Sequence, residues 1–180
     1  MRPSRLITLL FVNILFSGLS MAEVVDRSAT GFKIKNVAGV SAPANRAYKV
    51  LVDEIGNWWD SAHTFSGDAH NLSIEHRVGG CFCERFPDGG GVHHLTIVNM
   101  LPGKRLRLSG GLGPLQSAGV SGSLTWSFAD EEGGTSITLE YSVGGYIEGG
   151  MEAMAEPVDS VLNAQLQRLQ NYIEHGTPVP

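Results

Sequence analysis

Between Leu72 and Val143 the chain repeats one construction: a strand-length run of β-favouring residues, then a glycine-rich polar turn. The runs are Leu72 to Val78, Cys81 to Phe86, Val92 to Met100, Arg105 to Ser109, Ser121 to Phe128 and Thr135 to Val143. Their separators include Gly79-Gly80, Asp88-Gly89-Gly90-Gly91, Pro102-Gly103 and Glu131-Glu132-Gly133-Gly134, the chemistry of turns between antiparallel neighbours. Eight of the 23 glycines sit in these four joints. A sheet of this kind has one apolar face that something must cover. The only element long enough is the terminal helix, where Val158, Val161, Leu162, Leu166, Leu169 and Ile173 recur at three and four residues. Pro157 suits its first turn, Glu156 and Asp159 suit the positive end of its dipole, and Gly176 follows its last turn. The expectation is an α+β domain: a curved antiparallel sheet of about six or seven strands wrapped round a long C-terminal helix, enclosing space between them.

Upstream of the repeat, Gly31 to Val40 reads as a first strand. Ser41-Ala42-Pro43 opens a helix, with Ser41 or Ala42 near the N-cap and Pro43 in the first turn. Ala47, Val50, Leu51 and Ile55 form its buried face, Gly56 stops it, and Asn57 to Asp60 follow as a turn or second short helix. Residues 31–176 are read as one domain, with no internal repeat or linker, and residues 23–30 as a mobile start.

The first 22 residues have the parts of an export signal: Arg2 and Arg5, the apolar run Leu6 to Phe16, and small residues ending at Ser20-Met21-Ala22. The run is shorter than the roughly 20 residues a membrane span needs, so cleavage near Ala22 and a secreted or periplasmic mature protein are expected. The chain has 18 acidic and 13 basic residues, a formal net charge of −5, and losing Arg2 and Arg5 makes it more acidic still. Its scattered Lys and Arg form no binding stripe. Nucleic acid is therefore not an expected partner, and neither is a membrane for the mature form.

Several local motifs in this order resemble the helix-grip or START-like superfamily, also called SRPBCC. They are Ala42-Pro43 opening the first helix, Trp58-Trp59 after it, and Gly79-Gly80-Cys81-Phe82-Cys83-Glu84 beginning a strand. Pro102-Gly103-Lys104-Arg105-Leu106 at a turn, Gly134-Thr135 before the last strand and Val158 to Tyr172 as the closing helix complete them. The look is nearest to the polyketide cyclase and heat-shock ATPase activator branches, and it spans about Phe32 to Glu174. It implies the helix-grip fold and a cavity, and one fold of this kind hosts many activities. Activator homologues of this look are mostly cytosolic, and an export signal counts against that role here.

Cys81 and Cys83, the only two cysteines, lie two apart on a strand and so share one face. They are read first as small core residues. A soft-metal site with His93, His94 or His76 is an alternative. So is a redox or disulfide pair, although adjacent same-face positions do not favour a direct bond. His93 and His94 should face opposite sides of their strand. Glu84 should point away from both thiols; a solvated outer position is the plain reading and an acid–base role on a cavity wall the sharper one. Trp58, Trp59 and His63 are candidates for the mouth of a cavity, with Cys83, His94, Trp126 and Tyr146 as further lining candidates. For the two tryptophans the alternative is that one plugs the core. Gly110 to Gln116 reads as a flexible flap. No nucleophile triad, metalloprotease or phosphate-loop pattern occurs, and no cofactor is expected. The leading expectation is an exported binder of a small hydrophobic or amphipathic ligand. The alternatives are a cyclase or dehydratase using Glu84 or His94, and an exported interaction module.

Overall fold

The computed structural model describes residues 21–179. The expected export signal, apart from its last two residues, lies outside them. The chain runs β1 (Met21–Ser28), β2 (Gly31–Val40), α1 (Ala44–Asp53), α2 (Ile55–Trp58), β3 (Leu72–Ile74), β4 (Cys81–Arg85), β5 (Gly91–Leu101), β6 (Arg105–Ser109), β7 (Gly119–Glu131), β8 (Gly134–Tyr146) and α3 (Ala155–His175). The strands make one 8-stranded antiparallel sheet in the order β1-β2-β8-β7-β6-β5-β4-β3. The long hairpin β7–β8 sits at its centre, and β2 crosses back to pair with β8 from Gly31 opposite Gly144 to Val40 opposite Thr135.

Alternation decides which side chains fill the concave face. On β2 these are Phe32, Ile34, Asn36, Ala38 and Val40, and on β8 Thr135, Ile137, Leu139, Tyr141 and Val143, all buried. Across that face lies α3, which buries Ala155, Asp159, Leu162, Gln165, Leu166 and Leu169. Two of these are polar and find partners: the Asn36 amide donates to Asp159 Oδ1 at 3.0 Å, and Gln165 Oε1 accepts from the Asp60 N–H at 2.9 Å. The helix is therefore turned a little from the stripe read off the sequence. Val158 and Val161, two positions of that stripe, are only partly buried and line a cavity. Among the described residues no helix is long and apolar enough to cross a membrane.

Three local expectations are corrected. Residues 21–28, mostly the expected mobile start, pair with β2 as an edge strand, giving eight strands rather than six or seven. Gly56 does not stop the first helix; α1 ends at Asp53 and Gly56 lies inside α2. Its lack of a side chain serves packing, because a Cβ there would stand 3.0 Å from the Ala69 carbonyl oxygen. Pro43 occupies the N-cap of α1 rather than its first turn.

Candidate functional site

A cavity of about 430 Å³ lies between the sheet and α3. One wall is α3 itself, through Pro157, Val158, Val161 and Leu162, with Met154 just before it. Opposite stand Phe82 on β4 and His94 on β5, while Trp59 and the segment Ala62 to Phe65 close one side and Leu112 to Pro114 the other. The lining is mostly apolar, and no Lys or Arg belongs to it.

A break in the β-ladder positions His94. Phe82 pairs with Leu95 and Cys83 with His93, so His94 is the extra residue of a bulge. His94 and Leu95 consequently both turn inward, while His93 stays exposed. Strict alternation would have put only one of His94 and Leu95 inside.

Glu84 is buried, with 1% exposure, and not on the outer face. Its carboxylate accepts hydrogen bonds from the backbone N–H of Phe65 at 3.0 Å, from that of Ser66, and from His94 Nε2 at 3.0 Å. Burial alone would raise its pKa, but the bonds from Ser66, Phe65 and His94 outweigh that and hold it below the usual glutamate value. Burial pushes the His94 pKa down, and the nearby Glu84 carboxylate only partly restores it. The pair is therefore an ionised carboxylate and a neutral imidazole. An ionised Glu84 can only accept, so Nε2 carries the proton and Nδ1 holds the lone pair. That Nδ1 is buried with no partner. The imidazole packs against two rings, 4.8 Å from Phe82 and 5.8 Å from Phe65 by centroid. Through Glu84 at Phe65 and Ser66, and Gln165 at Asp60, the segment over the cavity is tied down at both ends.

The facing loop is tied as well, and is not the free flap expected. The Tyr141 hydroxyl donates to the Gly110 carbonyl at 2.9 Å and accepts from the Leu112 N–H at 3.0 Å. Burial pushes its pKa up to about 12, which keeps the hydroxyl protonated as a donor. Gly122 makes room for this ring, since a Cβ there would meet Tyr141 Cε2 at 2.6 Å.

Of the candidates read from the sequence, Trp59, His63 and His94 meet at this cavity. Trp58 does not: it is fully buried beneath, edge-on to Trp126 at 6.2 Å, with Nε1 donating to the Val50 carbonyl at 3.2 Å. Trp126 is likewise a core residue outside the cavity, buried on the sheet between Leu106 and Leu139. Tyr146, at the far end of β8, is 74% exposed. Cys83 points to the outer face, because Phe82 and Glu84 occupy the inner one. Phe82 and Phe65 line the cavity without a motif that marks them; for Phe82 the signal in the sequence is its alternation with the two cysteines.

Cys81 and Cys83 are joined by a disulfide, the pairing that same-face geometry argued against. An extended strand would hold their Cα atoms roughly 6.6 Å apart. Beside the β5 bulge they are 5.3 Å apart, well within disulfide range. The closed loop is so short that loop entropy assigns it only about 1.6 kcal/mol. The double replacement Cys81→Ala with Cys83→Ala is thus expected to lower stability by no more than about 2 kcal/mol in urea melts. A larger loss would mean that the pair supports the bulge.

A sheet curved round one long C-terminal helix, with a cavity between them, defines the START-like, or SRPBCC, class. Within it, the chain belongs to the family described as Activator of Hsp90 ATPase homolog 1-like protein, whose profile matches residues 41–174. A second match, to sperm antigen HE2, covers only residues 3–43 and shows no family. No curated protein matches the chain. Among solved structures, a conserved protein of unknown function from Enterococcus faecalis superposes with TM-score 0.59 at 13% identity, covering 87% of this chain and 78% of its own. CalU16 from Micromonospora echinospora gives 0.56 at 17% identity, over 91% and 88%. The Aha1 dimer from Colwellia psychrerythraea gives 0.56 at 19%, over 80% and 97%. At such identities the likeness is one of fold.

Proposed function

We propose that this is an exported binding protein for a small, uncharged, hydrophobic or weakly amphipathic molecule held between the sheet and α3. The observation that carries the reading is the cavity of about 430 Å³ with its apolar lining. An anionic ligand finds no Lys or Arg there and the Glu84 carboxylate lies behind His94, so a neutral ligand is favoured. Export rests on the charged, apolar and small-residue segments of the first 22 residues. Cleavage after Ala22 leaves Glu23 to Ser28 still paired with β2.

Native mass spectrometry of protein from its own source is expected to show a retained small molecule. The ligand-free protein should bind N-phenyl-1-naphthylamine, an uncharged apolar fluorophore. Val161→Trp, which fills the cavity from α3, should weaken that binding at least tenfold. Unchanged fluorescence in a folded Val161→Trp protein would defeat the reading.

The Glu84–His94 pair favours a second reading, a cyclase- or dehydratase-type enzyme. His94 would be the acid–base group and Glu84 the residue that orients it. A ligand recovered from the native protein, chemically altered by wild type but not by His94→Gln, would select this reading over simple binding.

A further inference from the structure

Among the described residues, one cluster of metal-ligating side chains lies away from the cavity and involves no cavity ligand. Cys81 and Cys83 lie on the outer face of β4, and His93 is the direct partner of Cys83 on β5. One ligand atom from each of the three, two sulfurs and an imidazole nitrogen, all lie within 4.8 Å of one another. We propose that, when the disulfide is opened, these three side chains form a copper(I) site of two thiolates and one imidazole.

The ligand set selects the metal. Thiolates are soft ligands suited to copper(I), which accepts low coordination numbers. Structural zinc takes four protein ligands, and this cluster supplies three. The geometry is set by the sheet rather than by a loop. The ladder holds His93 opposite Cys83, the Thr96 hydroxyl lies 2.8 Å from His93 Nε2 and orients the ring, and the Gln116 amide donates to the His93 carbonyl. The cysteines are half-buried and His93 is exposed, so an ion arrives from solvent without disturbing the core.

The disulfide form offers no thiolate and is the closed state of the site. Opening it consumes two electrons and two protons from a dithiol, which leaves as its own disulfide. Copper(I) then displaces the thiol protons to solvent, with no change in the oxidation state of the metal.

The test uses the full mature chain, reduced with a dithiol and then freed of it without air. It is titrated against copper(I) held by bathocuproine disulfonate, whose absorbance reports copper withdrawn. The reduced protein is expected to take one equivalent per chain and the disulfide form none. His93→Ala should weaken uptake at least tenfold, and since this side chain is exposed the variant should fold. Cys81→Ser and Cys83→Ser should fall to background with far-UV circular dichroism unchanged. The proposal is overturned if the disulfide form takes up copper(I) equally, if His93→Ala binds within twofold of wild type, or if the reduced protein leaves the copper with the chelator. Retention of zinc(II) as tight as that of copper(I) would overturn the choice of metal.

Discussion

Glu84→Ala is expected to lower the folding stability by about 3–5 kcal/mol and to release the segment over the cavity. The side chain accepts three hydrogen bonds, from two backbone N–H groups and from His94. Bonds to a charged acceptor contribute roughly 1.5–3 kcal/mol each, and relief of the buried charge offsets part of their loss. Truncation leaves the Phe65 and Ser66 N–H groups and His94 Nε2 without their acceptor. Glu84→Gln keeps the shape and one acceptor oxygen, so about half that loss is expected. Hydrogen exchange of Phe65 and Ser66 is the local readout, and it should rise before global unfolding does. If both amides stay protected in Glu84→Ala, Glu84 is not what holds the segment.

The same pair makes the fold sensitive to acid, and both groups act in one direction. The Glu84 pKa is lowered in the folded state, so its contribution is present above the ordinary glutamate value and lost as pH falls through the folded one. The His94 pKa is also lowered; the unfolded chain takes up its proton near pH 6.5 while the folded one resists. Stability should therefore decline from about pH 6.5 downward. Urea midpoints for wild type and His94→Gln, followed from pH 7.5 to 4, should diverge in the upper part of that window. Identical profiles would mean that His94 is not held neutral.

Trp58→Ala is expected to cost about 3–5 kcal/mol, lowering Tm by roughly 8–16 °C, and to leave the affinity for N-phenyl-1-naphthylamine unchanged. Trp58 has 0% exposure, touches Trp59 and Trp126, and contributes nothing to the cavity wall. Its neighbour faces the other way: the Trp59 ring meets Phe82 at 5.5 Å and lines the cavity. Trp59→Ala should therefore change the affinity, measured where both variants are folded. Equal losses of affinity in the two variants would contradict this division.

The division between these tryptophans shows where sequence reasoning runs out. A pair of adjacent aromatics after a helix reads either as two residues at a cavity mouth or as one that plugs the core, and the role of each depends on the angle at which α2 leaves α1. That angle is set by contacts with the Ala69–Asn71 turn, which packs against the Gly56 backbone. The eighth strand is likewise a product of pairing between elements. Nothing in the pattern of residues 21–28 marks them as a strand, and only pairing with β2 makes them one.

The sequence by itself determined the class of the fold. Period-two alternation, glycine-rich turns and one terminal helix with an apolar stripe leave little choice, because each is a local pattern whose buried face must meet the others. The acidic charge balance and the separation of Glu84 from the two cysteines were equally local properties. Trp59, His63 and His94 were legible as site candidates, but only the tertiary structure separated them from Trp58, Cys83, Trp126 and Tyr146. The bulge that turns His94 inward is a matter of register between β4 and β5, and the burial of Glu84 depends on amides eighteen or so residues away. The 5.3 Å approach of the Cys81 and Cys83 Cα atoms belongs to the folded chain, and the exposure of Val158 and Val161 to a cavity depends on the rotation of α3. Register, rotation and long-range hydrogen bonding are properties of pairs of elements, and no single stretch of sequence carries them.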